Sequence, residues 1–306
     1  MTAQAHSPER RASVGYALVA GAACAWGLWP LVLRHAESYG PTTPEIESAI
    51  ALAVVTVGSA PFVLHDRVRV RGSFRGWAGV VWMGIADALN VVLFFRAYQM
   101  TSVAIAVLTH YLTPLFVALL APLVLREERD RRTMACVLVS FAGLVLLLEP
   151  WRSDHRPGDL LGALAGAGSA VFYASNVLVN KRVMGEFSGS EMMFFHGLVA
   201  TPLVFLLVPH AAWSAVDPRS LAVVASGAVL CSIAAGLAFV WGLRRIRASH
   251  ASTLTLLEPL VAVLVAAVAF GERLTPIAIG GGVLILCGAA AVVSATPKRL
   301  VDSERA

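Results

Sequence analysis

Polar side chains that could carry protons or bind a solute stand at helical spacing inside apolar stretches of this sequence. Asp87, Asn90 and Phe94 follow one another at i, i+3 and i+7, which places them on one face of a helix. A carboxylate on such a face could carry a proton or contact a cation. The alternative is a structural role, in which Asp87 only forms a hydrogen bond with a neighbouring helix.

A second buried carboxylate, Glu258, directly precedes Pro259. Proline lacks a backbone N–H and clashes with the preceding turn, so it kinks a helix and frees carbonyl groups. Glu258 could bind a proton or solute at this kink, or it could support the kink by bonding to the backbone. Pro114 predicts a matching bend earlier in the chain, where Thr113 takes the position of Glu258. The bend itself therefore does not require a carboxylate.

Histidine and amide side chains provide the remaining strong candidates. His110 stands beside Tyr111, and a buried histidine titrates near neutrality and could relay protons, unless it is only a satisfied hydrogen-bond donor. Tyr173, Asn176 and Asn180 form a polar stripe at i, i+3 and i+7. Amides suit zwitterionic or hydroxylated solutes, but they also join helices at about 0.6 kcal/mol each.

Weaker candidates are residues with an equally good structural explanation. They are Trp26, Phe94, His196 and Thr255. Tryptophans near the ends of apolar stretches are typical of the membrane interface. The four cysteines lie inside apolar stretches without metal-ligand spacing, so we interpret them as small buried residues and expect no metal site. Glu127 and Glu272 stand beside arginines, which predicts local ion pairs.

These side chains must be positioned by membrane-spanning helices. The chain of 306 residues is 58% hydrophobic and only 14% charged, whereas a soluble protein has about 25% charged residues. The apolar residues form continuous runs of about 20 residues, which suits a helix crossing the bilayer. The ten predicted spans are Val14–Leu33, Ile46–Leu64, Trp77–Phe95, Val103–Leu125, Thr133–Leu148, Leu160–Asn180, Met192–Val208, Leu221–Leu243, Ala248–Phe270 and Pro276–Ser294.

The two halves of the chain match each other at a constant shift of 145 residues. The most informative pairs are Pro114 with Pro259, Glu127 with Glu272 and Gly143 with Gly288. This shift predicts two repeats, over residues 14–149 and 158–294, with five spans each. Because five is odd, the second repeat must enter the membrane upside down relative to the first. Transporters are often built from such inverted repeats.

The distribution of basic residues gives the orientation. If the N-terminus is cytoplasmic, eighteen Lys and Arg residues lie on the cytoplasmic side and six on the other. This bias predicts that both termini face the cytoplasm. It also explains the net charge of +5 as a topology signal, so we expect no nucleic-acid partner.

Several motifs resemble the EamA-type branch of the drug/metabolite transporter superfamily. They are Leu256-Leu257-Glu258-Pro259 and Gly271-Glu272-Arg273-Leu274, with weaker counterparts at Leu112-Thr113-Pro114, Arg126-Glu127-Glu128 and Ala25-Trp26-Gly27. The resemblance implies ten helices in two inverted repeats, cytoplasmic termini and alternating access to a central cavity. Such transporters move metabolites, amino acids, nucleotide sugars or drugs, often outward. Relatives often carry an arginine in the second span, where this sequence has Glu45, Glu47 and Ser48.

Taken together, the motifs and the topology predict a secondary transporter in the cytoplasmic membrane. We expect it to move a small metabolite, amino acid or drug-like solute by alternating access, most simply as an exporter, with protons coupled through Asp87, Glu258 or His110. No ATP-binding motif occurs, and we expect no cofactor. Its partners would be the solute, protons and membrane lipid, and a homodimer remains open. The alternatives are a membrane sensor or scaffold with a degenerate site, and an intramembrane enzyme, for which HExxH and paired catalytic aspartates are missing.

Overall fold

The computed structural model describes residues 8–65, 72–154 and 157–294, and across these residues the chain forms helices and no strand. Several basic residues counted in the charge bias lie outside the described residues. These are Arg67, Arg69, Arg71, Arg156, Lys298, Arg299 and Arg305.

The helices of the first half end at Leu148, and a short linker separates them from those of the second half. The first half contains α1 (Pro8–Trp26), α2 (Trp29–Glu37), α3 (Pro44–His65), α4 (Phe74–Met100), α5 (Val103–His110), α6 (Thr113–Val124) and α7 (Arg131–Leu148). The second half contains α8 (Asp159–Val183), α9 (Gly189–Leu207), α10 (His210–Ser214), α11 (Pro218–Ala228), a π-helix (Val229–Ala234), α12 (Ala235–Leu243), α13 (Ala248–Leu254), α14 (Leu257–Phe270) and α15 (Pro276–Ser294).

The described residues form ten spans that are long and apolar enough to cross a membrane, and this confirms the predicted number. Most spans are longer than their apolar runs. The third, predicted as Trp77–Phe95, extends over Phe74–Met100, because Ser73 caps its first turn by accepting a hydrogen bond from the Gly76 N–H. Large apolar side chains such as Leu206 and Val268 are exposed on the outer surface, as a lipid-facing helix requires.

Among the described residues, the first, fourth and ninth spans are each interrupted between two helices. The fourth breaks between α5 and α6 and the ninth between α13 and α14, with Pro114 and Pro259 in the first turn after each break, as the two prolines predict. The first span also breaks, between α1 and α2, and this break was not predicted. There Gly27 packs so closely on α14 that a Cβ atom would lie 2.7 Å from the Glu258 carbonyl oxygen.

Equivalent helices of the two halves pack against each other. The second span, α3, packs on the seventh, α9, and the fifth, α7, packs on the tenth, α15. The Thr56 and Thr201 hydroxyls, 145 residues apart, form a hydrogen bond of 2.9 Å. Ile46 and Val204, from the start of α3 and the end of α9, belong to one buried cluster. In α15, a Cβ atom on Gly281 would lie 2.5 Å from the Leu147 nitrogen, and one on Gly288 would lie 2.9 Å from the Cys136 carbonyl oxygen. The start of α15 thus lies at the end of α7, and both equivalent pairs are antiparallel.

Contacts between loops define two faces of the bundle. Glu186 accepts a hydrogen bond from the Ser73 N–H at 2.6 Å on the first face, which we call the arginine-rich face. On the second, arginine-poor face, Thr275 donates to Glu149 at 2.5 Å. Of the basic residues in the described ranges, the first face has Arg10, Arg11, Arg75, Arg126, Arg129, Arg131, Arg132, Lys181, Arg182, Arg244, Arg245 and Arg247, and the second has Arg34, Arg96, Arg152, Arg219 and Arg273.

The interpretation of all four cysteines as buried is wrong for two of them. Cys136 and Cys231 are buried, whereas Cys24 and Cys287 are exposed on the outside of the bundle. In a membrane, the outer face of a helix is as apolar as its packed face, so an apolar context does not distinguish the two.

Candidate functional site

The two halves enclose a central chamber of about 380 Å³. Both polar and aromatic side chains line it. Its walls include Trp26, Trp29, Asp87, Tyr173, Asn176, Asn180, His196, Ser232, Phe239 and Glu258. Solute sites in proteins are commonly concave, mostly apolar and provided with a few polar groups, and the chamber has this character.

Asp87 and His196 form the central polar pair of the chamber. Nε2 of His196 lies 2.9 Å from Oδ2 of Asp87, and Nδ1 lies 2.6 Å from the Met192 carbonyl oxygen. A carbonyl only accepts, so Nδ1 must carry a proton. The contact with Asp87 requires a second proton, which belongs either to the histidine or to the carboxyl group. The pair therefore holds one shared proton in this state.

The Asn176 amide fixes the other oxygen of Asp87. Nδ2 of Asn176 donates to Oδ1 of Asp87 at 2.9 Å and to the Met83 carbonyl at 3.2 Å. Both amide hydrogens are thus engaged. Asn180, one turn further along α8, also lines the chamber, and its Oδ1 atom is buried without a hydrogen-bond partner.

Glu258 stands where α14 begins, on the wall shared by three adjoining cavities. The Tyr111 hydroxyl interacts with its carboxyl group. Trp26 and Trp29, on either side of the break in the first span, line the same three cavities. The break between α1 and α2 therefore places two indole rings beside this carboxylate.

His110 belongs to a separate hydrogen-bonded chain on one side of the chamber. The Ser169 hydroxyl donates to Oδ1 of Asn90 at 2.7 Å, so at 2.7 Å from His110 it must accept from Nδ1. Nε2 of His110 is then the position where a proton can be gained or lost. The ring stacks on Tyr173 with centroids 5.5 Å apart and also contacts Phe94.

The chamber adjoins cavities that extend toward the arginine-poor face. Two further cavities of about 540 and 580 Å³ share Trp26, Trp29 and Glu258 with it. Their walls extend to Glu37 and Glu272 in one case and to Glu47 in the other, all near that face. A solute or proton could therefore reach the chamber from the arginine-poor side.

The arginine-rich face is closed by contacts between the two halves. Glu127 accepts hydrogen bonds from the Ala248 N–H at 2.6 Å and the Ser249 hydroxyl at 2.8 Å, and its carboxylate lies 3.6 Å from Arg247. The predicted local ion pair of Glu127 is therefore wrong, because its partners belong to the other repeat. Glu272, its counterpart, lines the opening at the opposite face.

His250 strengthens this closure and was not among the predicted residues. Thr133 donates to Asp130 at 2.6 Å, so its hydroxyl accepts from Nε2 of His250 at 3.0 Å. Nδ1 of His250 then accepts from the Tyr16 hydroxyl at 2.6 Å. The Thr133 hydrogen bond holds the pKa of Asp130 below its usual range, so this carboxylate stays ionised at neutral pH. The sequence feature that could have identified His250 is its position at the start of a span, three residues after Arg247.

The structure brings eleven of the twelve predicted site residues to the walls of the three connected cavities. Asp87, Asn176, Asn180 and His196 line the central chamber, and Tyr173, Trp26 and Glu258 line it together with an adjoining cavity. Asn90, His110, Tyr111 and Phe94 line the adjoining cavities alone. Thr255 lines none of them, since it is buried and donates to the Ser252 carbonyl at 2.7 Å.

Sequence reasoning missed other parts of the wall. Trp29 was only a weak candidate, because tryptophans near the ends of apolar stretches are more often interfacial, yet it lines the chamber. Ser232 lies in the π-helix, which breaks the regular pattern of the eighth span. Within the described ranges, no group of three His, Cys, Asp or Glu side chains is placed to hold a metal ion.

Ten apolar spans around a polar chamber define a multi-pass membrane protein of the transporter class. The model of the EamA-like transporter family matches residues 13–149 and 160–294, and the chain therefore belongs to that family. Its substrate is a small molecule, and its function is transport, not an enzymatic reaction.

Named relatives agree with this assignment, and a solved structure shares the fold. The uncharacterized transporter YwfM of Bacillus subtilis is 27% identical over 271 residues, which cover 85% of this chain and 90% of YwfM. An S-adenosylmethionine uptake transporter of Rickettsia prowazekii is 26% identical over 153 residues, half of each chain. A crystal structure with 21% identity has the same fold, with a TM-score of 0.74 over 94% of this chain and 99% of the other.

Proposed function

We propose that the protein is a proton-coupled secondary transporter that moves small solutes across the cytoplasmic membrane by alternating access. One observation carries the proposal: the chamber contains the proton-sharing pair Asp87–His196, is open to one face and is closed to the other by contacts between the two halves. A solute that displaces or follows the shared proton would link transport to a proton gradient.

The orientation in the membrane follows from the charges. The arginine-rich face would be cytoplasmic, with both chain termini on that side. The antiparallel packing of the equivalent helices α3 and α9, and of α7 and α15, supports two inverted repeats. In this orientation the structure is open to the outside.

We infer export in exchange for protons as the direction. Protons from outside would reach Asp87 and His196 through the opening lined by Glu37, Glu47 and Glu272. Protonation of the pair would then accompany the change in which the chamber closes to the outside and opens to the cytoplasm. Uptake, the direction in the name of the Rickettsia prowazekii relative, is the competing outcome.

Flux measurements in proteoliposomes test this function. A panel of radiolabelled metabolites is offered with and without a pH gradient, to wild type and to Asp87→Asn, Glu258→Gln and His110→Gln. Asp154→Asn, in the exposed linker between the halves, is the matched control. We expect proton-driven flux in wild type and control, and loss of the response to the gradient in Asp87→Asn. If all three variants keep the wild-type dependence on pH, none of these residues couples protons to transport.

A further inference from the structure

Apart from His196, whose two ring nitrogens are engaged by Asp87 and the Met192 carbonyl, the charged groups of the central chamber are of one sign. Two carboxyl groups, Asp87 and Glu258, line it, and its wall includes no lysine or arginine. The wall of the opening includes Arg34, whose guanidinium lies over the Phe270 ring at 5.1 Å from the centroid. A bound carboxylate would therefore find no cationic side chain with a free donor in the chamber, because both ring nitrogens of His196 already have partners.

The two carboxyl groups differ in how much hydrogen-bonding capacity they have left. Asp87 already has Asn176 on one oxygen and His196 on the other. Glu258 has only the Tyr111 hydroxyl as a side-chain partner, while an ionised carboxylate has about four acceptor positions. Glu258 can therefore accept hydrogen bonds from a ligand without losing its own contacts.

A second acceptor is available on α8. Asn180 is only 7% exposed, it lines the chamber, and its Oδ1 atom has no hydrogen-bond partner. A buried acceptor without a donor destabilises the fold. An N–H group supplied by a ligand, or a movement of α8 that follows its binding, would satisfy this oxygen. The side chain of the neighbouring Asn176 is less available to a ligand, because its amide group already donates to Met83 and Asp87.

The rest of the wall suits an apolar body next to a positive charge. Trp26, Trp29, Tyr173 and Phe239 contribute aromatic rings to the chamber. Trp26 and Phe239 lie with their centroids 5.3 Å apart. Aromatic faces attract cations through their quadrupole, most strongly where water is excluded.

We propose that the chamber selects small organic amines, bound as ammonium ions with Glu258 as the counter-charge and Asn180 as a second acceptor. The aromatic wall would hold the apolar part of the amine. Amino acids and carboxylic acids would bind more weakly, because their carboxylate has no cationic partner. This inference rests on the proposed transport function, since it names the solute class that the same chamber carries.

Matched ligands test the class directly. Binding to the purified full-length protein is measured by isothermal titration calorimetry with three compounds that share one ring: 2-phenylethylamine, phenylalanine and 3-phenylpropionate. The indole series tryptamine, tryptophan and indole-3-propionate repeats the comparison. We expect each amine to bind at least about tenfold more tightly than its two analogues, because the acid lacks the ammonium group and the amino acid adds a carboxylate that would be buried without a cationic partner. Equal or tighter binding of the acids or amino acids, or no binding of either amine, overturns the proposal.

Two variants test whether Glu258 and Asn180 bind the ammonium group of the amine. Glu258→Gln should raise the Kd of 2-phenylethylamine about tenfold or more, whereas Glu128→Gln, on an exposed loop, should leave it unchanged. Asn180→Leu should weaken amine binding and yet raise the Tm of the ligand-free protein by roughly 2–4 °C, because it removes an unsatisfied acceptor. A purely structural asparagine would give the opposite change in Tm. Should Asn180→Leu fail to fold, Asn180→Asp keeps the shape, and it must tighten the amine and weaken 3-phenylpropionate for the proposal to stand.

Flux measurements in proteoliposomes distinguish a failure of the proposed solute class from a failure of the proposed transport function. If the amines bind with the expected pattern but do not cross proteoliposome membranes, the solute class stands and the transport proposal fails. If phenylalanine or 3-phenylpropionate is transported in a proton-dependent manner and the amines are not, the transporter stands and the solute class is wrong.

Discussion

Asp87 and His196 depend on each other for the protonation state of the chamber. Nδ1 of His196 is committed to the Met192 carbonyl, so the only exchangeable proton of the pair lies between Nε2 and the Asp87 carboxyl group. A side chain that can form this hydrogen bond but cannot titrate would separate positioning from proton transfer.

His196→Gln makes that separation. Glutamine can still donate to Asp87, so we expect the folded protein and its solute binding to persist, while proton-driven flux falls by about tenfold or more. The measurement compares flux at several pH gradients with the affinity for the same solute. His35→Gln, an exposed position at the arginine-poor face, serves as the control. Undiminished proton-driven flux in His196→Gln would show that the pair does not hold the coupled proton.

For single residues, the sequence predicted which side chains would line the chamber better than it predicted which side chains they would contact. Helical spacing placed Asp87, Asn176 and Asn180 on polar faces, and all three line the chamber. It could not show that His196 of α9 pairs with Asp87 of α4, because such a contact depends on how two distant helices pack. Thr255 was a candidate only as the repeat equivalent of His110, and repeats preserve the backbone more faithfully than the side chains.

The helices were largely predictable from apolar runs and prolines. Pro114 and Pro259 indicated two breaks, and both occur. The break after Trp26 was hidden, because the apolar run continues through Gly27 and the ring of Pro30 fits the first turn of α2. The π-helix of the eighth span was not predictable either, since nothing in its composition differs from an ordinary span.

The crossing of α7 and α15 leads to a prediction about stability. At Gly281 a Cβ atom would lie 2.5 Å from the Gly143 carbonyl oxygen, so the two backbones are in close contact. Gly281→Leu should force the helices apart and destabilise the protein by about 1–3 kcal/mol. The neighbouring Gly280→Leu is the control, because a Cβ there has no atom within 4 Å. Thermal unfolding in detergent measures both variants, and equal melting temperatures would contradict the packing argument.

The closure at the arginine-rich face predicts how the opposite face closes. Glu127 binds the start of α13 at Ala248 and Ser249, and the shift of 145 residues relates this contact to Glu272 and the start of α5. Val103 and Glu272 now line the same open cavity. We therefore expect Glu272 to reach the start of α5 when the chamber opens to the other side.

Disulfide cross-linking of engineered cysteine pairs can detect closure of the arginine-rich face and closure of the arginine-poor face separately. In a background without the native cysteines, Glu127→Cys with Ser249→Cys should cross-link in the state described here. Glu272→Cys with Val103→Cys should cross-link only during solute-driven turnover. Cross-linking of the first pair should abolish turnover and with it the second cross-link. Efficient formation of both cross-links in one molecule would contradict alternation.

For the whole molecule, the apolar runs predicted ten spans and the motifs around Glu258 and Glu272 pointed to the family, while the state of the chamber depends on the fold. The charge distribution gives an orientation, but no single residue indicates which face is open. That property arises from contacts between the halves, such as those of His250 with Tyr16 and Thr133. Inverted repeats make both states accessible to one backbone, so the sequence alone is compatible with either.

Accessibility of the chamber from the two sides of the membrane tests the central claim most directly. Cys24, Cys136, Cys231 and Cys287 are replaced by alanine, Ser232→Cys places a thiol in the chamber wall, and a membrane-impermeant maleimide is added to right-side-out or inverted vesicles. We predict labelling from both sides, with labelling from the cytoplasmic side blocked once Glu127→Cys and Ser249→Cys are cross-linked. Labelling from one side only, whatever solute or gradient is applied, would contradict alternating access through this chamber.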